Sequence, residues 1–231
     1  LRHYYQCKIC KHMFSSHKIN LSEIYNGEYV DATYDGVQGM KKRFDYVMKL
    51  PFEKSDNKQR VKRILDFIQP LKKNNKNYLL DFGAGIGVFA KCFQLKKWNV
   101  ETIETDKRTI EYLKKIGINS SSKYNTKINA FKNKFHLITF NKVLEHIEKP
   151  ILILRTSKKF LKKNGIIYVE LPDVSASKIG KNREEFFIDH HHVFSITSAS
   201  IMLQVAGFKV LHCSSIVEPS GKYTIIAFCS V

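Results

Sequence analysis

The sequence predicts an α/β fold with a mostly parallel sheet, an antiparallel hairpin at its C-terminal edge and a small irregular segment at the N-terminus. From residue 78 onward, short apolar stretches alternate with amphipathic ones, which is the pattern of strands joined by crossover helices. The first of these strands ends in an acid and a glycine-rich turn. The last two apolar stretches are separated by Glu218-Pro219-Ser220-Gly221, which predicts a hairpin.

The individual elements follow from hydrophobic periodicity and from helix-end signals. The predicted strands are 78–82, 100–104, 118–119, 136–140, 166–171, 209–217 and 223–231. The predicted helices are 88–97, 107–116, 151–161 and 197–206, preceded by one capped at Ser55 or Asp56 that closes at Pro70. Residues 21–60 are polar and aromatic and predict an irregular stretch, either a substrate-facing lid or a surface loop. We therefore divide the chain into an N-terminal segment, 1–55, and a main domain, 56–231.

Length and composition indicate one large domain with a small appendage. The chain has 231 residues, of which 43% are hydrophobic, and its formal net charge is +18. No apolar run approaches the roughly 20 residues that span a bilayer, and the first residues do not form a secretory signal. Two explanations of this positive charge are a nucleic-acid partner and lysines that are spread over solvent-exposed faces. Because the lysines occur as scattered pairs without a stripe of interleaved aromatics, we favour the second explanation.

Cysteine usage suits a reducing compartment, so we expect a cytoplasmic location. Five cysteines are present, and only Cys7 and Cys10 are close together in sequence. The other three lie in apolar segments and are expected to be core thiols: Cys92, Cys213 and Cys229.

The Cys7–Cys10 pair has the spacing of a zinc knuckle, although a closed structural site needs four ligands. Three interpretations stay open. The pair is half of a zinc site completed upstream, it recruits a histidine, or both cysteines are surface residues. The candidate histidines are His3, His12 and His17.

The stretch 78–88 joins a strand to a helix through a glycine turn. Asp81 ends the apolar strand, and Gly83, Gly85 and Gly87 follow at alternate positions. Glycines let the backbone adopt positive φ and let a ligand approach without a Cβ in the way. The free N–H groups of the following helix point toward the same place. The turn is therefore predicted to bind a ligand.

Polar residues also end the neighbouring strands, where open α/β sheets bind their ligands. Glu104 ends the second strand about 20 residues after the glycines, the spacing at which an acid binds both hydroxyls of a ribose. Asn141 ends the fourth strand, and Glu145 and His146 follow it. A nicotinamide dehydrogenase would have its third glycine where Val88 stands. The observed pattern suits a smaller nucleoside ligand.

Several motifs in order resemble class I S-adenosylmethionine-dependent methyltransferases, whose fold is a Rossmann-like sheet of seven strands. The resemblance covers about residues 78–231 and includes residues 80–87, Glu104, residues 135–147 and residues 160–172. The segment His192-Val193-Phe194-Ser195 with residues 203–208 resembles the same branch of the family as residues 135–147. Ser55-Asp56-Asn57 with Arg60 resembles a segment of methyltransferases from surface-polysaccharide gene clusters. The branch resembles sugar C-methyltransferases and surface-polysaccharide methyltransferases. Ubiquinone-type enzymes are more distant relatives. The Cys7–Cys10 pair resembles the zinc-binding segment of the sugar C-methyltransferases.

The resemblance implies S-adenosylmethionine as the cofactor and assigns roles to the residues of the glycine turn. Gly83, Ala84 and Gly85 would approach the methionyl part through backbone atoms, Asp81 would orient the turn or reach the amino group, and Glu104 would hold the ribose. The adenine would lie near Thr105 and residues 120–122. Gly87 and Asn141 complete the expected cofactor site.

A general base is expected beside the methyl acceptor, because in-line methyl transfer to a poor nucleophile requires proton removal. The candidates are Glu145, His146 and the run 190–192, from which we select His192 by its place in the motif; packing is the alternative role for His146. Ubiquinone-type enzymes carry a further acid three residues before the glutamate, which helps to bind a metal. Lys142 at that position argues against a catalytic metal.

These patterns predict a methyltransferase for a small polar metabolite, such as a nucleotide sugar or surface-glycan precursor. RNA and quinone precursors remain alternative substrates. The turn after the fourth strand lacks the Asn/Asp-Pro-Pro-aromatic motif of adenine-N6 enzymes and the Pro-Cys nucleophile of cytosine-C5 enzymes. A cofactor-binding protein with impaired catalysis is the third alternative. The intact glycines and Glu104 favour cofactor binding under each of these interpretations.

Overall fold

The computed structural model describes residues 3–16, 34–68, 76–122, 128–180 and 182–231. Its helices are α1 (Gly36–Lys49), α2 (Asp56–Ile68), α3 (Val88–Leu95), α4 (Lys107–Lys115), α5 (Ile128–Phe131), α6 (Pro150–Lys158) and α7 (Ile196–Val205). Its strands are β1 (His3–Gln6), β2 (Met13–Ser16), β3 (Tyr78–Phe82), β4 (Asn99–Ile103), β5 (Asn119–Ser121), β6 (Phe135–Asn141), β7 (Leu161–Pro172), β8 (His192–Val193), β9 (Lys209–Val217) and β10 (Tyr223–Ser230).

The main sheet has seven strands in the order β5-β4-β3-β6-β7-β10-β9. The first five strands of this order pair in parallel, and β10 pairs antiparallel with both β7 and β9. The strand order reverses between β3 and β6, so the carboxyl ends of these two strands form a crevice suited to a ligand. The predicted Rossmann-like sheet with an antiparallel C-terminal hairpin is confirmed.

Apolar side chains cover both faces of the sheet, as expected for parallel strands flanked by helices. One face packs against α2 and α3 through residues such as Ile64 and Phe93. The other packs against α6 and α7 through residues such as Leu154 and Leu203. The two cores hold the strand ends, and with them the glycine turn, in fixed relative positions.

The expectation of an irregular stretch over residues 21–60 is wrong for its second half, since Gly36–Lys49 forms α1. The helix packs Met40 and Phe44 against Tyr112 on α4. Its apolar residues recur at helical spacing, but lysines and other charged residues interrupt them and concealed the pattern. Residues 17–33, including His17, lie outside the described ranges.

The N-terminal residues form a second, antiparallel sheet in the order β1-β2-β8. Met13 and Phe14 on β2 pair with Val193 and His192 on β8, which lies between β7 and α7. The N-terminal hairpin therefore pairs directly with the histidine segment of the main domain. None of the helices in the described ranges is long and apolar enough to cross a membrane.

Candidate active site

The glycine turn after β3 uses its three glycines for different purposes. Gly83, Gly85 and Gly87 all have positive φ, of 65°, 52° and 80°. A Cβ on Gly83 would lie 2.5 Å from a methyl group of Val143, and one on Gly87 would lie 2.5 Å from a methyl group of Leu113. Among the described residues, a Cβ on Gly85 would meet only the Tyr34 hydroxyl, at 3.8 Å. Gly83 and Gly87 therefore permit close packing, while Gly85 faces space that a ligand can enter.

Glu104 lies beside this turn, as predicted. Its Oε2 accepts a hydrogen bond from the Gly85 N–H at 2.9 Å, and its Oε1 accepts one from the Thr105 N–H at 2.8 Å. Burial raises the pKa of the carboxyl group, against the opposing effect of these two hydrogen bonds. The acid thus joins the turn after β3 to the end of β4.

Ser120 is one strand further, on β5, and its buried hydroxyl has no hydrogen-bond partner among the described residues.

Asp81 is almost fully enclosed, at 1% exposure, beneath the turn. Its Oδ1 accepts hydrogen bonds from the Thr139 hydroxyl at 2.6 Å and from Asn141 Nδ2 at 2.9 Å. Desolvation raises the pKa of Asp81 to about 7, although Thr139, Arg60 and Asn141 oppose the rise. The buried Oδ1 of Asn141 has no hydrogen-bond partner within the described part of the chain, so it can accept from a ligand.

A buried ion network lies on the α2 side of the site. Arg60 on α2 contacts the carboxylates of Glu170 at 2.5 Å and Glu218 at 3.0 Å, and Lys142 also pairs with Glu218. Lys142 adopts a left-handed φ of 59° directly after β6. Sequence analysis did not assign this network, because its members are far apart in the chain. Lys142 stands where ubiquinone-type enzymes carry an acid, and it pairs with Glu218.

Glu145 and His146 lie in a short 3-10 turn, Leu144–His146, shortly after β6. Glu145 is 1% exposed, and its Oε2 has no hydrogen-bond partner in the described ranges. Desolvation raises the pKa of Glu145 to about 7, with nearby His146 opposing the rise. The Oε1 of Glu145 is 4.0 Å from His146 Nε2. At neutral pH this carboxyl group can therefore both hold and release a proton.

Asp189 orients His146 from the far side of the ring, with its Oδ2 3.2 Å from His146 Nδ1. Burial lowers the pKa of His146, but the hydrogen bond to Asp189 and the charge of Glu145 outweigh it and raise the value. Desolvation would raise the pKa of Asp189, yet the bond with His146 lowers it to about 2. Sequence analysis did not single out Asp189, although it directly precedes the histidine run.

His190, rather than His192, joins the Glu145–His146 pair. The rings of His146 and His190 meet edge to face with centroids 4.7 Å apart, and His190 Nδ1 bonds the Glu185 carbonyl at 2.9 Å. Ligand atoms of Glu145, His146 and His190 lie within 4.8 Å of one another, close enough to hold a metal ion. His192 instead contacts His12 at 3.2 Å and the Glu148 carbonyl at 3.2 Å.

Cys7 and Cys10 lie in the connection between β1 and β2. The Lys11 N–H donates to the Cys7 carbonyl, and the Cys7 N–H donates to the His12 carbonyl, which closes a tight turn. Backbone hydrogen bonds from Cys10 and Ile9 lower the pKa of Cys7. Within the described ranges, no histidine, cysteine or carboxylate lies close enough to the two thiols to serve as a third metal ligand. Zinc at this pair stays a prediction.

A family model described as a methyltransferase domain matches residues 54–213, which is more than half of the chain. The fold, the glycine turn and this match define a class I S-adenosylmethionine-dependent methyltransferase. The chain belongs to this methyltransferase family and is a methyltransferase. A search of curated protein sequences finds no significant match.

Solved structures share the fold at low sequence identity. A SAM-dependent methyltransferase from Aquifex aeolicus is 18% identical, with a TM-score of 0.58 over 84% of this chain and 97% of that chain. A complex of the Haloferax volcanii Trm112 methyltransferase activator with a methyltransferase matches at 12% identity and a TM-score of 0.60, over 88% of this chain and 97% of that chain. Burkholderia thailandensis 1,6-didemethyltoxoflavin-N1-methyltransferase, with its substrate and S-adenosylhomocysteine bound, is 11% identical, with a TM-score of 0.58 over 99% of this chain and 97% of that chain.

Proposed function

We propose that this methyltransferase transfers the methyl group of S-adenosylmethionine to a small polar metabolite of the nucleotide-sugar or surface-glycan-precursor class. The motif resemblance over residues 135–147 and 192–208 supports this class of acceptor. The same fold accommodates 1,6-didemethyltoxoflavin beside S-adenosylhomocysteine in the B. thailandensis structure. RNA and quinone precursors are the alternative acceptors to be tested.

The space that the described residues leave above Gly85 is the observation that carries the donor half of the proposal. The backbone there can approach the methionyl part, with Gly83 and Ala84 lining the same turn. The unpartnered Asn141 Oδ1 and the Asp81 carboxylate suit the donor's ammonium group. Glu104 can exchange its bond to Gly85 for the ribose hydroxyls. The unpartnered Ser120 hydroxyl suits the adenine, near Thr105.

The acceptor half of the proposal rests on the cluster of Glu145, His146, Asp189 and His190. The donor supplies an electrophilic methyl group on a positively charged sulfur. Glu145 receives the acceptor's proton, since its raised pKa matches that task at neutral pH. Asp189 holds the His146 ring in one orientation beside the carboxylate. Val143, which packs against Gly83, connects this cluster to the donor turn.

Calorimetry with S-adenosylhomocysteine tests the donor site. We expect the intact chain to bind it and Glu104→Ala to weaken binding at least tenfold. Glu101→Ala is the matched control, because Glu101 lies on β4, three residues before Glu104, and pairs with Lys134 instead of the glycine turn. No binding by the intact chain, or equal binding by both variants, would refute the assignment.

A screen with labelled S-adenosylmethionine tests the acceptor class. Nucleotide sugars, quinone precursors and RNA should be compared, and we expect transfer to nucleotide sugars. Salt-dependent RNA labelling would instead favour the RNA alternative. With the acceptor identified, Glu145→Gln and His146→Ala should each reduce turnover while leaving the affinity for S-adenosylhomocysteine nearly unchanged. If both retain full turnover, another group accepts the proton.

We further propose that residues 56–231 form the donor-binding domain and that residues 1–55 contribute to the acceptor side in a cytoplasmic enzyme. The pairing of β2 with β8 supports this division of roles. Elemental analysis for zinc, with Cys7→Ser as the comparison, tests whether the cysteine pair holds a structural ion.

A further inference from the structure

The N-terminal hairpin contacts the histidine segment through more than strand pairing. Ser15 on β2 forms two hydrogen bonds to consecutive carbonyl groups of that segment. Its N–H donates to the His191 carbonyl at 2.9 Å, and its hydroxyl donates to the His190 carbonyl at 2.9 Å. Ser15 thus holds both peptide groups that follow the Asp189–His190 pair.

The segment held by Ser15 is also joined to the acceptor cluster. The His191 N–H donates to the Glu145 carbonyl at 2.7 Å. Asp189, two residues earlier, orients His146, and the His190 ring packs against the His146 ring. A continuous chain of contacts therefore runs from Ser15 through the histidine segment to Glu145 and His146.

Further contacts fix the hairpin against the start of α7. The Ser195 hydroxyl donates to the Cys10 carbonyl, and His12 contacts both Ser198 at 3.3 Å and His192 at 3.2 Å. The His12 ring also packs edge to face on Phe194, with centroids 4.8 Å apart. These contacts hold the hairpin that carries Ser15 against β8 and the start of α7.

We propose that Ser15 is a positioning residue for the acceptor site and that the N-terminal hairpin is part of the catalytic framework. The hydroxyl of Ser15 holds the His190 carbonyl, and through it sets where the Asp189 carboxylate meets His146. This inference rests on the proposed function, since it states how the proposed acceptor cluster is kept in place. A small displacement of such a group lowers the rate even when the fold is unchanged.

Ser15→Ala removes the hydroxyl and leaves the backbone pairing of β2 in place. Ser16→Ala is the matched control, because Ser16 is the next residue on the same strand, is exposed, and is the partner of His3 in the β1–β2 ladder. Ser15→Thr keeps a hydroxyl and should restore the property that Ser15→Ala loses. Thermal unfolding of all three variants reports whether any effect comes from lost stability.

The decisive readout is the NMR signal of the His146 ring in histidine-labelled protein at one fixed pH, which needs no methyl acceptor. Groups that contact this ring include Asp189, whose Oδ2 is 3.2 Å from Nδ1, Glu145, whose Oε1 is 4.0 Å from Nε2, and the ring of His190. We expect Ser15→Ala to shift the Nδ1 signal of His146, because the bond to Asp189 lengthens. Ser16→Ala and Ser15→Thr should give the same His146 signals as the unmodified chain.

With the acceptor identified, Ser15→Ala should also reduce kcat about tenfold without changing the affinity for S-adenosylhomocysteine. Identical His146 ring signals in Ser15→Ala and Ser16→Ala would overturn the inference. That result stays distinct from failure of the proposed function, which would show as absent donor binding or absent methyl transfer in the unmodified chain.

Discussion

Replacing Glu145 with glutamine should stabilise the protein at alkaline pH while it impairs catalysis. Glu145 is buried at 1% exposure, and desolvation raises the pKa of its carboxyl group from 4.5 to about 7. The folded state therefore binds this proton more tightly than the unfolded state. The stabilisation that comes from this tighter proton binding is fully present below the pKa of the unfolded state, and it is lost as the pH rises toward 7. At 1.36 kcal/mol per pKa unit, the loss amounts to about 3 kcal/mol above pH 7.

Urea unfolding of Glu145→Gln and the unmodified chain at several pH values between 5 and 8.5 measures this difference. Glutamine cannot ionise, so the free energy of unfolding of the variant should rise relative to that of the unmodified chain as the pH rises. The relative increase should reach about 3 kcal/mol at pH 8. Glu148→Gln, which changes an exposed carboxylate three residues away, should show no such trend. A stability difference that does not depend on pH, or a variant that is less stable at pH 8, would refute the interpretation of Glu145 as a desolvated acid.

The donor side yields three further predictions. Gly85→Ala and Gly117→Ala should each lose about 1 kcal/mol of stability, since both positions have positive φ and the described residues leave room there for a Cβ. Only Gly85→Ala should abolish calorimetric binding of S-adenosylhomocysteine. Gly87→Ala should lose a further 1 to 3 kcal/mol or so in urea unfolding, because its Cβ would lie 2.5 Å from Leu113. Binding of S-adenosylhomocysteine should strengthen from pH 6 to pH 8, as Asp81 with its pKa near 7 loses its proton, and Asp81→Asn should flatten this dependence.

The order and type of the core elements could be predicted from sequence because their signals are local. Strand β3, the glycine turn and α3 are encoded within 18 consecutive residues, and their predicted boundaries differ from the observed ones only at the end of the helix. Helix α1 was missed because charged residues interrupt its apolar positions. The β1–β2–β8 sheet could not be foreseen, since its strands are very short and β8 lies about 180 residues after β2 in sequence.

The donor side of the proposed site could be predicted from local sequence signals, whereas the acceptor side could not. Asp81, Gly85 and Glu104 belong to one strand–turn–helix–strand unit, so sequence spacing placed them together. The acceptor cluster combines the turn after β6 with a segment more than 40 residues later. Motif order selected His192 from the histidine run, whereas the structure brings His190 to Glu145. His190 and His192 are two residues apart, so a regular strand would direct both side chains to the same side, but the chain bends at His191 and β8 begins only at His192. Because only the tertiary structure shows this bend, motif order could not tell the two histidines apart.

The proposed function makes donor binding and acceptor chemistry depend on each other at the turn after β6. Within five residues it supplies Asn141 to Asp81, Lys142 to the Glu218 network, Val143 to the surface of Gly83, and Glu145 to the acceptor cluster. The left-handed φ of Lys142 turns the chain sharply enough to allow all four contacts. A shift of this turn would therefore change the donor turn and the proton acceptor together. Substitutions at Val143 should affect donor affinity and turnover jointly, whereas those at Ser15 should affect turnover alone.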